Sequence, residues 1–203
     1  MNIGIFSNFW DGKPNHLPLL SLVEMPYDDS QTFNVKISFL ILESILETNT
    51  EESIQEGIKL LLENEDWRTH LVATVSLLAI KQSKRENLID LFWKRLSQGS
   101  WVSPQILVAL SMCDSFFSSK GKKILTEGFK INYSKLSAVD HHVSRGGIPA
   151  TISEKKVLAA IDYLLNDSIN DSDDNDAGGS IAKNWKERVD ELIKQNKLKL
   201  GYF

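Results

Sequence analysis

The sequence predicts an all-α protein: antiparallel helix pairs stacked as a short solenoid over residues 31–203, preceded by an irregular N-terminal arm over residues 1–30. Three observations predict it. Apolar residues recur at three- and four-residue spacing through most of the chain after residue 31. Two stretches, EDWRTHLVATVSLLA from Glu65 and SWVSPQILVALSMCD from Ser100, write one phrase twice, with Trp67 and Trp101 34 residues apart. Between them lies an amphipathic segment, so fully apolar and one-sided helices alternate at the period of paired-helix solenoids. An ordinary helical bundle with a chance echo is the alternative.

Bulk properties agree with one sizeable domain or two small ones. At 203 residues, 42% of them hydrophobic and 25% charged, the chain can bury a genuine core. A net charge of −4 gives no global basic field to recruit nucleic acid, and it suits a basic protein partner. Cys113 is the sole cysteine, so no internal disulfide can form; inside an apolar run, it reads as a small core residue rather than a nucleophile. The opening MNIGIFSNFW lacks a basic leader, a continuous apolar stretch and a small-residue cleavage site, so no signal peptide is expected. No window reaches about 18 apolar residues without charge, which leaves no expected membrane span and the cytoplasm as default compartment.

The elements follow in order. Asp11-Gly12 and the prolines Pro14, Pro18 and Pro26 forbid a long helix in the first thirty residues. An irregular arm or a short strand pair is expected there, with Phe6, Phe9 and Trp10 packed on the body. A first helix carries Phe33, Ile37, Leu40, Ile41 and Ile45, widened by Phe39 and Leu42. Thr50 caps a second, amphipathic helix, with Glu51 and Glu52 near its positive end and Ile54, Ile58, Leu61 and Leu62 on one side. The third, from about Trp67 to Gln82, is apolar nearly all round and must be covered from several directions. Ser83 and Glu86 form a capping box for the fourth, which Gly99 ends in a left-handed cap. Ser103 and Pro104 then read as cap and first residue of a fifth, nearly all-apolar helix reaching about Cys113. A sixth helix begins near Ser119. The stretch at about 137–152, broken by Gly146-Gly147 and Pro149, is expected as a long loop, a common place for function. Ser153 caps a further helix, an acidic loop covers about 167–179, and a last amphipathic helix uses Ile181, Trp185, Val189, Leu192 and Ile193.

The paired phrases DWRTHLVATVSLLA and GSWVSPQILVALS resemble HEAT-like helical repeats, and small bacterial proteins of that type in particular. The resemblance covers roughly residues 31 to 130. It implies a stacked-helix fold with Trp67 and Trp101 at equivalent core sites. It also implies a function of the kind some HEAT-like proteins have, as immunity or adaptor factors.

Chemistry-bearing residues are few. Asp140-His141-His142 is the nearest approach to a metal or acid–base cluster, but zinc needs three or four converging ligands, and adjacent histidines usually diverge. A partner-contact loop, shared with Arg145, or plain surface histidines remain. Asp171, Asp173, Asp174 and Asp176 resemble the opening of a calcium loop; Asp176 stands where Gly belongs and Ala182 where a bidentate Glu belongs. They read as a solvated linker, or as an acidic patch steering a basic partner. Arg68 and His70 open the third helix, His70 as either a contact or a capping and packing residue. Ser76 and Ser111 lie inside apolar helices, without the turn context of a nucleophile. No metal or cofactor is expected. The favoured function is non-enzymatic protein binding through Arg68, His70, His141, His142, Arg145 and the four aspartates, in its most concrete form an immunity protein occluding the active site of a basic toxin domain. The alternative is a nucleic-acid-binding repeat or an enzyme with a His/Arg cleft. It would need a basic stripe from Lys81, Lys84, Arg85, Lys94, Arg95, Lys120, Lys122 and Lys123.

Overall fold

Eight α-helices account for most of the described backbone in a computed structural model that describes residues 3–23, 34–133, 142–145, 148–170, 177–199 and 201. They are α1 (Val35–Thr48), α2 (Glu51–Glu63), α3 (Trp67–Ala79), α4 (Gln82–Gln98), α5 (Ser103–Cys113), α6 (Phe117–Glu127), α7 (Glu154–Asn166) and α8 (Gly178–Lys194). The chain divides into two compact units, residues 1–88 with 187–203, and residues 89–186. The division falls inside α4 and α8.

In the first unit, α2 packs on α3, and the N-terminal segment packs on α1, α2 and α3. That segment forms two short 3-10 helices, Gly4–Phe9 and Leu17–Leu20, where the sequence left a choice between irregular chain and a strand pair. Phe6 and Phe9 are fully buried, and Trp10 partly so. Phe6 reaches α2 because Gly57 has no side chain: a Cβ there would come within 2.8 Å of the ring. Local capping starts α1, α2 and α3. Asn34 accepts from Lys36 N, Thr50 from Ser53 N and Asp66 from Arg68 N, each satisfying an amide that the first turn cannot.

In the second unit, α5 packs on α6 and α7, and α6 on α7. Gly178 opens α8 directly against the carbonyl of Lys156 in α7, a place where any Cβ would collide. Ser153 caps α7 through Lys156 N at 3.1 Å. Within the stretch expected as a loop at 137–152, strands β1 (His142–Arg145) and β2 (Ile148–Thr151) pair antiparallel, His142 opposite Thr151 and Arg145 opposite Ile148.

The two echoed segments are indeed buried all round: every residue from Thr69 to Ile80, and every residue from Val102 to Leu110. Each fully buried Leu or Ile there stabilises by about 1.5–3 kcal/mol relative to exposure. Several boundaries differ from expectation. Helix α4 starts at Gln82, so Ser83 lies inside the first turn rather than capping it. In α5, Val102 holds the cap position, Ser103 is the first helical residue and Pro104 the second, a shift of one that still leaves proline where its missing donor is harmless. Gly99 has the expected positive φ, +87°. Trp67, Trp101 and Cys113 are only partly buried, because each lies at the end of its apolar run, where the covering neighbours stop.

Candidate functional site

The residues singled out from the sequence fall into three groups. Arg68 and His70 sit on the first turn of α3 in the first unit. His142 and Arg145 occupy the two ends of β1 in the second. His141 and Asp171, Asp173, Asp174 and Asp176 lie outside the described residues.

Arg68 is partly exposed. Its guanidinium stacks over the Trp67 ring, 4.8 Å from the centroid, and its Nη1 donates to Asp66 Oδ1 at 3.1 Å. The same carboxylate accepts from Arg68 N at 3.0 Å, so one aspartate both caps α3 and holds the cation. His70 is different in kind: it is 1% exposed, and Nε2 lies 2.7 Å from the carbonyl oxygen of Asn64. A carbonyl can only accept, so Nε2 carries the proton and the ring ties the α2–α3 connection to the helix it precedes. This matches the capping and packing alternative. Thr69 adds to the same tie, its hydroxyl 2.7 Å from Leu61 O.

The remaining one of the four histidines in the sequence, His16, was not singled out as a site. His16 is buried, stacks on Trp10 with ring centroids 4.8 Å apart, and places Nδ1 3.3 Å from Phe9 O. Burial lowers its pKa below the ordinary 6.5; the Phe9 bond opposes this, the charge of Arg68 reinforces it and that of Asp66 opposes it. The mutual influence places Arg68, Asp66 and His16 in one neighbourhood that spacing along the chain could not have shown.

The basic stripe required by the nucleic-acid reading is largely engaged in the fold. Arg85 is buried, donating from Nε to Ile80 O at 2.7 Å and from Nη2 to Leu78 O at 2.8 Å. Arg95 is buried and bonds Gly99 O at 3.0 Å. Lys84 pairs with Glu51 at 3.5 Å, and Lys123 with Glu127 at 3.8 Å. Lys120 bridges Asp114 at 3.0 Å and Asp90 at 3.6 Å. Lys81, Lys94 and Lys122 are exposed.

Asp114 is a carboxylate held by three donors. It accepts from Trp93 Nε1 at 2.8 Å, Phe116 N at 2.8 Å and Lys120 Nζ. Burial pushes its pKa up, but those three donors and the lysine charge outweigh burial and hold it below the usual carboxylate value. An Asp two residues before a turn amide is a recognisable local signal; its Trp and Lys partners are not.

The described surface also carries one sizeable groove in the first unit, about 740 Å³, between α1 and the turn that follows α8. Val35, Phe39 and Leu192 line it with buried apolar surface, Leu40 lies on it 55% exposed, and Lys36, Lys197 and Lys199 surround it. Among the described residues, no group of three or more His, Cys, Asp or Glu is placed to hold a metal ion, and no helix is long and apolar enough to cross a membrane. No protein-family profile, curated protein or solved structure matches the chain.

Proposed function

We propose that the chain is a non-enzymatic protein-binding module, its helix pairs stacked in the HEAT-like manner, and in its most concrete form an immunity protein that occludes the active site of a basic toxin domain. One observation carries the reading: His16, His70, Arg85 and Asp114 are engaged in holding the fold. His16 bonds Phe9 O, His70 bonds Asn64 O, Arg85 bonds the last carbonyls of α3, and Asp114 is held by three donors. Groups bonded in this way keep a scaffold rigid. A rigid scaffold presents loops and grooves to a partner without paying an ordering cost on binding. The net charge of −4, with Asp171, Asp173, Asp174 and Asp176 close together in sequence, supports steering of a basic partner.

The test is reconstitution with the product of the adjacent gene. A stoichiometric complex whose formation abolishes that product's toxic activity supports the reading. Purified proteins that stay separate at micromolar concentrations and low salt would sink the immunity version.

A further inference from the structure

The chain leaves α8 through a cap made of its own backbone. Asn196 has a left-handed φ of +55°, and its N–H donates to Ile193 O at 3.0 Å while that of Lys197 donates to Leu192 O at 2.9 Å. Asparagine is one of the few residues with a side chain that takes this conformation readily. Beyond the cap, the chain runs onto α1 and α3 of the same unit. Leu198, 5% exposed, lies between the exposed Lys197 and Lys199 and shares a small hollow with Phe39 and Leu42 of α1 and Ala79 of α3. Lys199 bridges Glu43 of α1 at 3.4 Å. Gly201 N then donates to Leu78 O at 3.0 Å, near the end of α3. Glycine suits that last place: its φ is +64°, and a Cβ would come within 3.1 Å of the Arg85 guanidinium.

Undocking this segment leaves both helix ends satisfied. A carbonyl oxygen has two lone pairs, and Leu78 O accepts from Arg85 Nη2 at 2.8 Å as well as from Gly201 N. With Gly201 withdrawn, Arg85 still closes α3. Leu192 O and Ile193 O keep the donors of the cap at the end of α8. The opening therefore avoids the penalty of an orphaned carbonyl at either end. What it uncovers is apolar: Leu198 and the sides of Phe39, Leu42 and Ala79 that share its hollow.

We propose that Leu198, Lys199 and Gly201 form a latch that opens as one piece about a hinge at Asn196, uncovering the apolar patch of Phe39, Leu42 and Ala79 while α1, α3 and α8 stay folded. Such a latch holds whether or not the chain binds a toxin. The experiment reads thiol exposure in the full chain. In a Cys113→Ser background, Ala79→Cys places a thiol in the hollow, and Ala73→Cys places one in the fully buried interior of α3. The expected result is that Ala79→Cys is labelled at least tenfold faster than Ala73→Cys in folded protein. Its rate barely rises between about 0 and 2 M urea, because a local opening exposes little surface, whereas that of Ala73→Cys rises steeply. Adding Gly201→Val or Leu198→Ala speeds the first labelling at least tenfold and the second less than threefold. The parent chain gives a second reading by hydrogen exchange: the Gly201 amide exchanges with little dependence on urea, and the Leu77 amide with the full dependence of global unfolding. The proposal is overturned if both thiols label at one rate with one urea slope, or if Gly201→Val speeds both equally or leaves the chain unfolded by circular dichroism. Equal urea slopes for the Gly201 and Leu77 amides overturn it as well, even where a thiol variant fails to fold.

Discussion

Helices α3 and α5 carry the same apolar phrase and are equally buried, yet opposite charges finish them. The last carbonyls of α3 receive the Arg85 guanidinium, and Leu78 O also accepts from Gly201 N at 3.0 Å. A cation at the negative end of a helix is electrostatically favourable. After α5 stands Asp114, an anion at the same negative end, where its charge is unfavourable to α5 itself. Its carboxylate instead turns forward: it accepts from Phe116 N ahead of α6, from the Trp93 indole and from Lys120. One helix is closed by a group reaching back to it, the other by a group that serves its successor. A repeated core therefore does not require a repeated way of ending it.

The shared part of the comparison carries the largest effects. Leu77→Ala in α3 and Leu107→Ala in α5 remove fully buried side chains and should each cost about 2–5 kcal/mol in urea denaturation. A cost under about 1 kcal/mol at either site would show that helix to be loosely covered and break the equivalence. The endings come next. Arg85→Met leaves the Ile80 carbonyl without its charged donor and should cost about 2–3 kcal/mol in urea denaturation. Asp114→Asn should cost about 1–2 kcal/mol at pH 7. The Asp114 pKa is lowered on folding, so its carboxylate stabilises fully above the ordinary 3.8 and loses that contribution as pH falls through the folded value. Parent and variant melting curves should therefore converge in that acid range; a constant gap down to pH 2 would remove Asp114 as the source.

The smallest expected effect separates the two units by pH. His16 has its pKa lowered by burial, so the unfolded chain binds the proton more readily than the folded one. Above 6.5 the ring is neutral in both states; as pH falls below 6.5 the folded state loses ground until the folded pKa is passed. Stability measured from pH 7.5 to 5 should decline in the parent and flatten in His16→Gln, while Asp114→Asn leaves that slope alone. Equal slopes in parent and His16→Gln would exclude His16 as the sensor.

What could be read from the sequence was what is local or periodic. Thr50 and Ser153 cap where expected because the donor they satisfy is three residues away. The burial of α3 and α5 was legible because no helical face was left polar. The pairing of β1 with β2 was not legible, because Gly146-Gly147 and Pro149 read as loop formers and each strand is only four residues long. Asp114 was missed as a structural anchor because its partner Trp93 stands 21 residues away, and Arg85 and His16 because they reach carbonyls five to seven residues back, beyond the spacing of a cap. The groove was illegible for the same reason, with walls drawn from residues near 34–43 and 192–199.

The docking of Phe6 on the bare backbone of Gly57 has a consequence during synthesis. The ring leaves the ribosome about fifty residues before the surface that will cover it, and at roughly 5–20 residues per second the newborn chain carries it uncovered for some seconds. Until α2 is made, that ring is apolar surface left in water.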